Sequence, residues 1–422
     1  MDTSYLPRIA DNLLNASLDR IGAVLIRGAK WCGKTRTASQ RAGSTLFMQD
    51  PDKANAYLDV AQIQPSRLLQ GETPRLIDEW QVAPVLWDAV VFEVNKRSAY
   101  GQFILTGSSV PKDDGVMHTG TGRIGRITMR PMTLFESGES AGEVSLSRLF
   151  AGAEDIDGTS NLSIDDIAFL IARGGWPQAV LQNDEAALGL AYDYVEAIVE
   201  SDISRIDDVK RNPDHARALL RSLARSSAQQ TTLKTIREDM QSDGSSVTEN
   251  TQASYLNALR RLFVVEDLKA WSPKMRSKTA LRAAPTWHFT DPSIAVAALG
   301  ASPSRLLDDL ETMGFLFESL CVRDLRTYAD FLGGEVLHFR DRTGLEADAI
   351  VQLRDGRWGA VEVKLGGAKN IEEGCAHLFD LENRIDTSIV LPPVFKMILT
   401  GGQMAYRRKD GVYVVPLGCL CP

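Results

Sequence analysis

The chain has 422 residues, 44% of them hydrophobic, with 47 basic and 55 acidic side chains for a net charge of -8. That length points to two or three domains. The acidic balance excludes a surface coated in positive charge, so any nucleic-acid contact must come from a local basic patch. No run of about 18 apolar residues occurs, which excludes an obvious membrane span. The opening MDTSYLPRIADNLL lacks the basic start and apolar core of a signal peptide. Five cysteines (Cys32, Cys321, Cys375, Cys419, Cys421) form an odd set without metal-finger spacing, and the five histidines show no paired ligand spacing. The expectation is a soluble protein of the reducing cytoplasm.

Residues 5–18 read as an amphipathic helix. The apolar run 23–26 has the character of a buried parallel strand. It leads into Gly28-Ala29-Lys30-Trp31-Cys32-Gly33-Lys34-Thr35, which fits G-x-x-x-x-G-K-[ST]. Backbone N–H groups of such a loop wrap a triphosphate, and its glycines allow close approach. Lys34 is expected on the β- and γ-phosphates and Thr35 on Mg²⁺. A helix beginning near Lys34 adds its positive end, so the nucleotide-binding set runs from Gly28 through Arg36.

Residues 44–49 suggest a second strand and 53–69 a helix. Residues 74–80 form a short strand ending in Asp78 and Glu79. Carboxylates at that end of a parallel strand face the phosphate crevice. Asp78 is expected to hold Mg²⁺ through water and Glu79 to polarise the attacking water; the alternative is a helix N-terminus, since a helix over 82–95 follows. Strand 101–109 ends in hydroxyl residues. Ser108 leads as a polar sensor of the γ-phosphate, with Thr106 in reserve, against ordinary turn chemistry. Residues 119–130 carry Arg123, Arg126 and Arg130. Arg123 leads as an arginine aimed at a neighbouring subunit's γ-phosphate; a basic loop is the alternative.

Together, strand–GAKWCGKT–helix, LIDEW, ILTGSS and GRIGRITMRPMTLFE resemble the AAA-type core of a prokaryotic ATP-binding family. In that family the core precedes a winged-helix and restriction-endonuclease-like region of long-uncharacterised function. The resemblance spans essentially the whole chain and implies ATP and Mg²⁺ as cofactors, a helical lid, and a homo-oligomer, up to a ring.

Residues 136–166 hold eight acids and one base and read as a solvated connector. Residues 164–206 look helical around a turn at 174–177 and resemble the family's lid. Candidate helices at 214–227, 232–240 and 246–263 follow, as in a winged helix-turn-helix, with Ser246 and Glu249 spaced as a capping box. Residues 269–282 carry five bases, no acid and Trp271. Lys269, Trp271, Lys274, Arg276, Lys278 and Arg282 form the expected DNA contact, with Trp271 stacking or wedging. The alternative is an interdomain packing module.

Residues 311–329 form a periodic helix containing Glu318. Strands at 335–338, 346–353 and 358–365 follow. Glu362 and Lys364 are two apart and share a strand face, with Val361 and Val363 on the opposite, buried one. Asp348 on the paired strand brings a second carboxylate. Two clustered acids suit Mg²⁺ or Mn²⁺, Lys364 can orient the attacking water, and Glu318 can add a further acid. The stretch resembles the restriction-endonuclease-like PD-(D/E)xK core, with Gly344-Leu345-Glu346-Ala347-Asp348 in place of the Pro-Asp lead.

The expected fold is thus α/β throughout: a P-loop AAA-type parallel-sheet core (1–140), a helical lid (141–208), a winged-helix segment (209–295) and an α/β restriction-endonuclease-like domain (296–422). The expected function is an ATP-hydrolysing, DNA-binding protein with a metal-dependent endonuclease domain, acting on branched or irregular DNA in repair or defence. The alternative is a non-cutting AAA-type switch or scaffold whose nuclease-like domain only binds DNA or a partner.

Overall fold

The structure is a computed structural model describing residues 5–107, 117–207, 209–272, 284–386, 388 and 390–422. Ser108, Lys274, Arg276, Lys278 and Arg282 lie outside the described residues. Contacts divide the chain into two compact units. One comprises Met1–Pro131, Ser201–Lys210 and Asn257–Phe263; the other comprises Met132–Glu200, Arg211–Leu256 and Val264–Pro422.

In the first unit β1 (Ala23–Arg27), β2 (Ser44–Phe47), β3 (Arg75–Asp78), β4 (Phe103–Gly107) and β5 (Ile124–Thr128) form a parallel sheet in the order β2-β3-β4-β1-β5. Strand alternation sends Leu25, Ile77, Phe103 and Leu105 into one apolar layer, with Trp80, Leu86 and Trp87. Val24, Ile26, Leu76, Ile104 and Ile127 enter another, with Leu14 and Leu18. Those last two belong to α1 (Ile9–Leu18); α2 (Lys34–Ser39), α3 (Ala54–Ile63) and α4 (Val85–Arg97) complete the unit's longer helices. Prolines trim several expected elements. α1 starts beyond Pro7, α3 stops short of Pro65, and α4 starts after Pro84, because a residue before proline is pushed out of helical conformation. The order matters for chemistry: β4 lies between β1 and β3, so the ends of all three meet at one edge.

In the second unit β8 (Gly334–Arg340), β9 (Glu346–Leu353) and β10 (Trp358–Lys364) form an antiparallel meander. The helix Ala368–Arg384 then crosses over to β11 (Phe395–Thr400), parallel to β10. The helix Leu310–Phe331 precedes the meander and packs on β8, β9 and β10. With β7 (Gly158–Thr159), β12 (Met404–Arg407) and β13 (Tyr413–Pro416) the sheet runs β7-β12-β13-β11-β10-β9-β8.

The strands β6 (Val144–Ser145) and β7 (Gly158–Thr159) correct the expected boundaries. β6 pairs with β14 (Leu420–Cys421), and β7 pairs with β12. The acidic stretch read as a solvated connector therefore contributes β7 to the C-terminal sheet and β6 to a separate two-stranded sheet, and residues up to 200 of the expected lid pack in the second unit. A buried ionic cluster fixes the same segment. Arg323 bonds Asp291 at 2.8 Å and Asp324 at 2.8 Å, with all three side chains at most 1% exposed. Asp291 also accepts the Gly175 N–H and Asp324 the Leu134 N–H, each at 2.9 Å.

Helices Pro213–Arg225, Leu233–Ser242 and Glu249–Arg261 appear where three helices were expected. Thr248, not Ser246, caps the third: its hydroxyl accepts the Thr251 N–H at 3.2 Å. Antiparallel bridges Val265↔Phe289 and Leu268↔Thr286 follow. Among the described residues no helix is long and apolar enough to cross a membrane.

Candidate functional site

The loop between β1 and α2 is held open by backbone geometry. Gly28 has φ +151°, and a Cβ there would stand 2.0 Å from the Met129 carbonyl oxygen. Gly33 starts α2 from φ 101°. The Arg8 guanidinium, buried, donates to the carbonyls of Cys32 (2.7 Å) and Arg130 (2.8 Å), fixing the loop from behind. Lys34 is buried, and its Nζ donates to the Gly28 (3.1 Å) and Ala29 (2.7 Å) carbonyls. Its ammonium thus already lies over the loop in which a triphosphate would be wrapped. Lys30 turns aside to Asp202 at 2.7 Å, and Trp31 is 45% exposed.

The strand ends supply the acids. The Asp78 carboxylate accepts from Thr35 Oγ1 at 2.7 Å and from Thr106 Oγ1 at 2.6 Å, both through Oδ1. Thr106, the reserve sensor residue, also accepts the Glu79 N–H at 3.3 Å. Thr35 and Asp78, the pair expected on Mg²⁺, are therefore already in contact. Glu79 has left-handed backbone at φ 55°, an uncommon state for a non-glycine residue and one that clusters at functional sites. Its carboxylate accepts from Gln81 Nε2.

Arg123 is not brought to this phosphate loop. It precedes β5, at the opposite end of the parallel sheet, and donates to Asn95 Oδ1 at 2.8 Å beside a hollow of about 440 Å³ that also includes Phe92 and Asp88.

In the second unit, Asp348, Glu362, Lys364 and Glu318 do converge. Lys364 Nζ lies 2.7 Å from Glu362 Oε2 and 3.9 Å from Asp348 Oδ2. The β9–β10 ladder ends at Ala349↔Val361, and Asp348 Oδ2 replaces the next backbone acceptor by taking the Val363 N–H at 2.7 Å. His377 Nδ1, on the crossover helix, stands 3.6 Å from Glu362 Oε2. A cleft of about 620 Å³ opens on Asp348, Lys364, Glu318, Gln230, His338 and Arg340.

The strand face differs from expectation. Glu362 and Lys364 do not sit on an open face: Glu362 is 1% exposed and every β10 residue before Lys364 is buried. Trp358 and Ala360 pack with Cys375, Leu378 and Leu381 of the crossover helix, so the strand is covered on the Glu362 side too. Burial, with Glu362 beside it, pushes the Asp348 carboxyl up to about 7 despite Lys364. Burial and the same acids push Glu318 well up. Burial would lower Lys364, but Asp348 and Glu362 hold its ammonium above the ordinary range. Glu362 Oε1 is buried with no hydrogen-bond partner, an arrangement that invites a cation. Against that, no group of three or more His, Cys, Asp or Glu placed to hold a metal ion occurs among the described residues.

Trp271 requires correction. It is 5% exposed, stacks 4.6 Å from Trp358, and its Nε1 donates to Gln352 Oε1 at 2.9 Å. It is a core residue of the C-terminal sheet, unavailable for stacking on a base; the basic residues around it disguised this. Lys269 is exposed. Gln81 was missed, and its one signal was an amide two residues beyond the acidic pair.

Comparison with known proteins gives residues 21–137 as a match to a family model described as an AAA domain. This stretch, with its P-loop sheet, is an AAA-type ATP-binding module. Residues 164–305 and 313–420 match two domains of unknown function, DUF8612 and DUF4143. No curated protein matches. Among solved structures, the Walker-type ATPase PABY2304 of Pyrococcus abyssi is 15% identical, covering 70% of this chain and 96% of that one, with a TM-score of 0.41. The replication initiator DnaA bound to AMPPCP and single-stranded DNA is 15% identical over 61% and 89%, at 0.29. Drosophila ORC bound to DNA is 12% identical over 64% and 87%, at 0.18.

Proposed function

We propose that this chain hydrolyses ATP in its first unit and acts on DNA through its second, cutting the strand with a divalent ion held at Asp348 and Glu362. In the first unit the Gly28–Arg36 loop holds the phosphates, Lys34 contacts the terminal ones, Thr35 and Asp78 hold Mg²⁺, and Glu79 polarises the attacking water. Thr106 takes the sensor position beside Asp78. Arg123, remote from its own loop, serves a neighbouring copy in a homo-oligomer.

One observation carries the nuclease reading: a fully buried Glu362 with one unpartnered oxygen, beside Asp348 and Lys364 at a cleft. The helix–three strands–helix–strand order around it supports the restriction-endonuclease-like reading. When bound, Mg²⁺ or Mn²⁺ supplies an acidified water and charge for the scissile phosphate. Lys364 orients that water, and Glu318, which lines the same cleft, adds a further acid. Three helices followed by an antiparallel pair support a winged-helix DNA contact, with Lys269 at the start of its basic stretch.

A non-cutting ATP switch is the second reading. It is favoured by the 2.7 Å contact of Lys364 with Glu362, which already fills part of the acid cluster. To separate them, wild type and Lys364→Ala are incubated with labelled linear, branched and single-stranded DNA plus Mn²⁺. The nuclease reading expects cutting by wild type alone. Wild-type failure on every substrate overturns it in favour of the switch, and equal cutting by both proteins overturns the assignment of the site to Lys364 and its acids.

A further inference from the structure

We infer that Gln81 is a positioning residue for ATP hydrolysis, acting through the carboxylate of Glu79. This rests on the reading of Glu79 as the residue that polarises the attacking water. The short turn Trp80–Val82 folds the chain back directly after Glu79, and this brings the Gln81 side chain onto the Glu79 carboxylate, to which Nε2 donates. The main chain of Glu79 is already fixed by its left-handed conformation and its N–H bond to Thr106. The Gln81 amide bears on the direction of the carboxylate.

The other end of the amide makes the arrangement costly for stability. Gln81 Oε1 is buried and has no hydrogen-bond partner. It lies against the end of β4, 2.9 Å from where a Cβ on Gly107 would stand, so glycine there leaves room for the amide. An unpaired buried carbonyl is destabilising. An apolar side chain of the same length would avoid that cost, so the pattern is that of a group held for its donor. An amide also differs from an ammonium in a useful way: it fixes the carboxylate without neutralising the charge that a general base needs. Catalytic groups must be held within fractions of an ångström of the productive geometry, and a fixed backbone alone does not do this for a side chain.

The test is Gln81→Met, which keeps length and removes the amide, compared with Glu79→Gln and the double variant. Gln81→Met is expected to lower kcat for ATP hydrolysis by about tenfold or more. KM and nucleotide affinity should stay within about twofold, because Lys34, Thr35 and Asp78 are bonded to other groups. Its unfolding midpoint should stay near that of wild type, since the bond lost to Glu79 is offset by removal of the orphaned carbonyl; a merely structural glutamine would give a clear fall. The double variant should be no slower than Glu79→Gln alone. Wild-type turnover by Gln81→Met with Glu79→Gln inactive overturns the inference by itself, as do additive losses in the double variant. Full activity of Glu79→Gln instead removes the reading of Glu79 on which the inference stands. If Gln81→Met does not fold, Gln81→Leu in the same comparison gives the same decision, and failure of both to fold contradicts the expected stability and overturns the inference.

Discussion

Thr106→Val probes how the ATP site is assembled. The side chain is fully buried, and valine keeps its shape and strand preference while removing the hydroxyl. Two bonds are lost: the one donated to Asp78 at 2.6 Å and the one accepted from the Glu79 N–H at 3.3 Å. A hydrogen bond to a charged group contributes about 1.5–3 kcal/mol, and a buried N–H left unpaired costs about 1–3 kcal/mol. Asp78 keeps its bond from Thr35 and the second bond is long, so the two do not add fully; about 3 kcal/mol is expected. In urea that corresponds to a midpoint lower by about 1–2 M with an unchanged slope. ATP turnover should fall about tenfold, because Asp78 and the Glu79 backbone both lose a restraint. Thr106→Ser, which restores the hydroxyl, should recover most of both losses. A valine variant within about 0.5 kcal/mol of wild type, turning over ATP normally, would refute the reasoning.

Three further outcomes are expected. Trp271→Ala should destabilise the second unit by about 3–5 kcal/mol, as large core truncations do; Trp271→Phe should leave DNA affinity in a filter-binding or anisotropy assay unchanged, whereas a stacking role predicts a loss. Gly28→Ala should abolish nucleotide binding measured with a fluorescent ATP analogue, because the added carbon collides with the Met129 carbonyl in a conformation that L-residues rarely adopt. Burial pulls the His338 pKa down to about 4. Between its ordinary value near 6.5 and that value, the unfolded chain takes up a proton that the folded one refuses. Stability from this group is therefore lost as pH falls through that window, by about 3 kcal/mol at its lower end. Asp324, raised to about 6, and Asp348, raised to about 7, act in the opposite sense. The quantity to measure is thus the wild-type minus His338→Gln difference in unfolding free energy, which should shrink or reverse from pH 6.5 to 4; a flat difference contradicts the burial argument.

Much of the first unit was legible because its chemistry is local. The apolar residues 23–26, 76–77 and 103–105 are short runs, as buried parallel strands must be, and each ends where polar residues or glycine start. Their spatial order was not legible. That β4 separates β1 from β3, and so puts Thr106 on Asp78, depends on long-range pairing that no single strand encodes. The C-terminal acids were legible as an alternating strand pattern, but alternation does not reveal that helices cover β10 so fully that Glu362 is buried. The acidic 136–166 segment misled because composition reports solvation, whereas its two short strands find partners near the far end of the chain. Trp271 misled in the same way: composition reports the five bases in the segment, whereas the indole belongs to the core. Gln81 escaped because its role depends on a turn that folds it back onto Glu79.

The most direct measurement of the account is steady-state ATP hydrolysis by wild type and Lys34→Ala, with circular dichroism of both proteins. Wild type is expected to show Mg²⁺-dependent turnover and the variant none above background, with matching spectra. Equal turnover by the two folded proteins, or none by wild type, would contradict it.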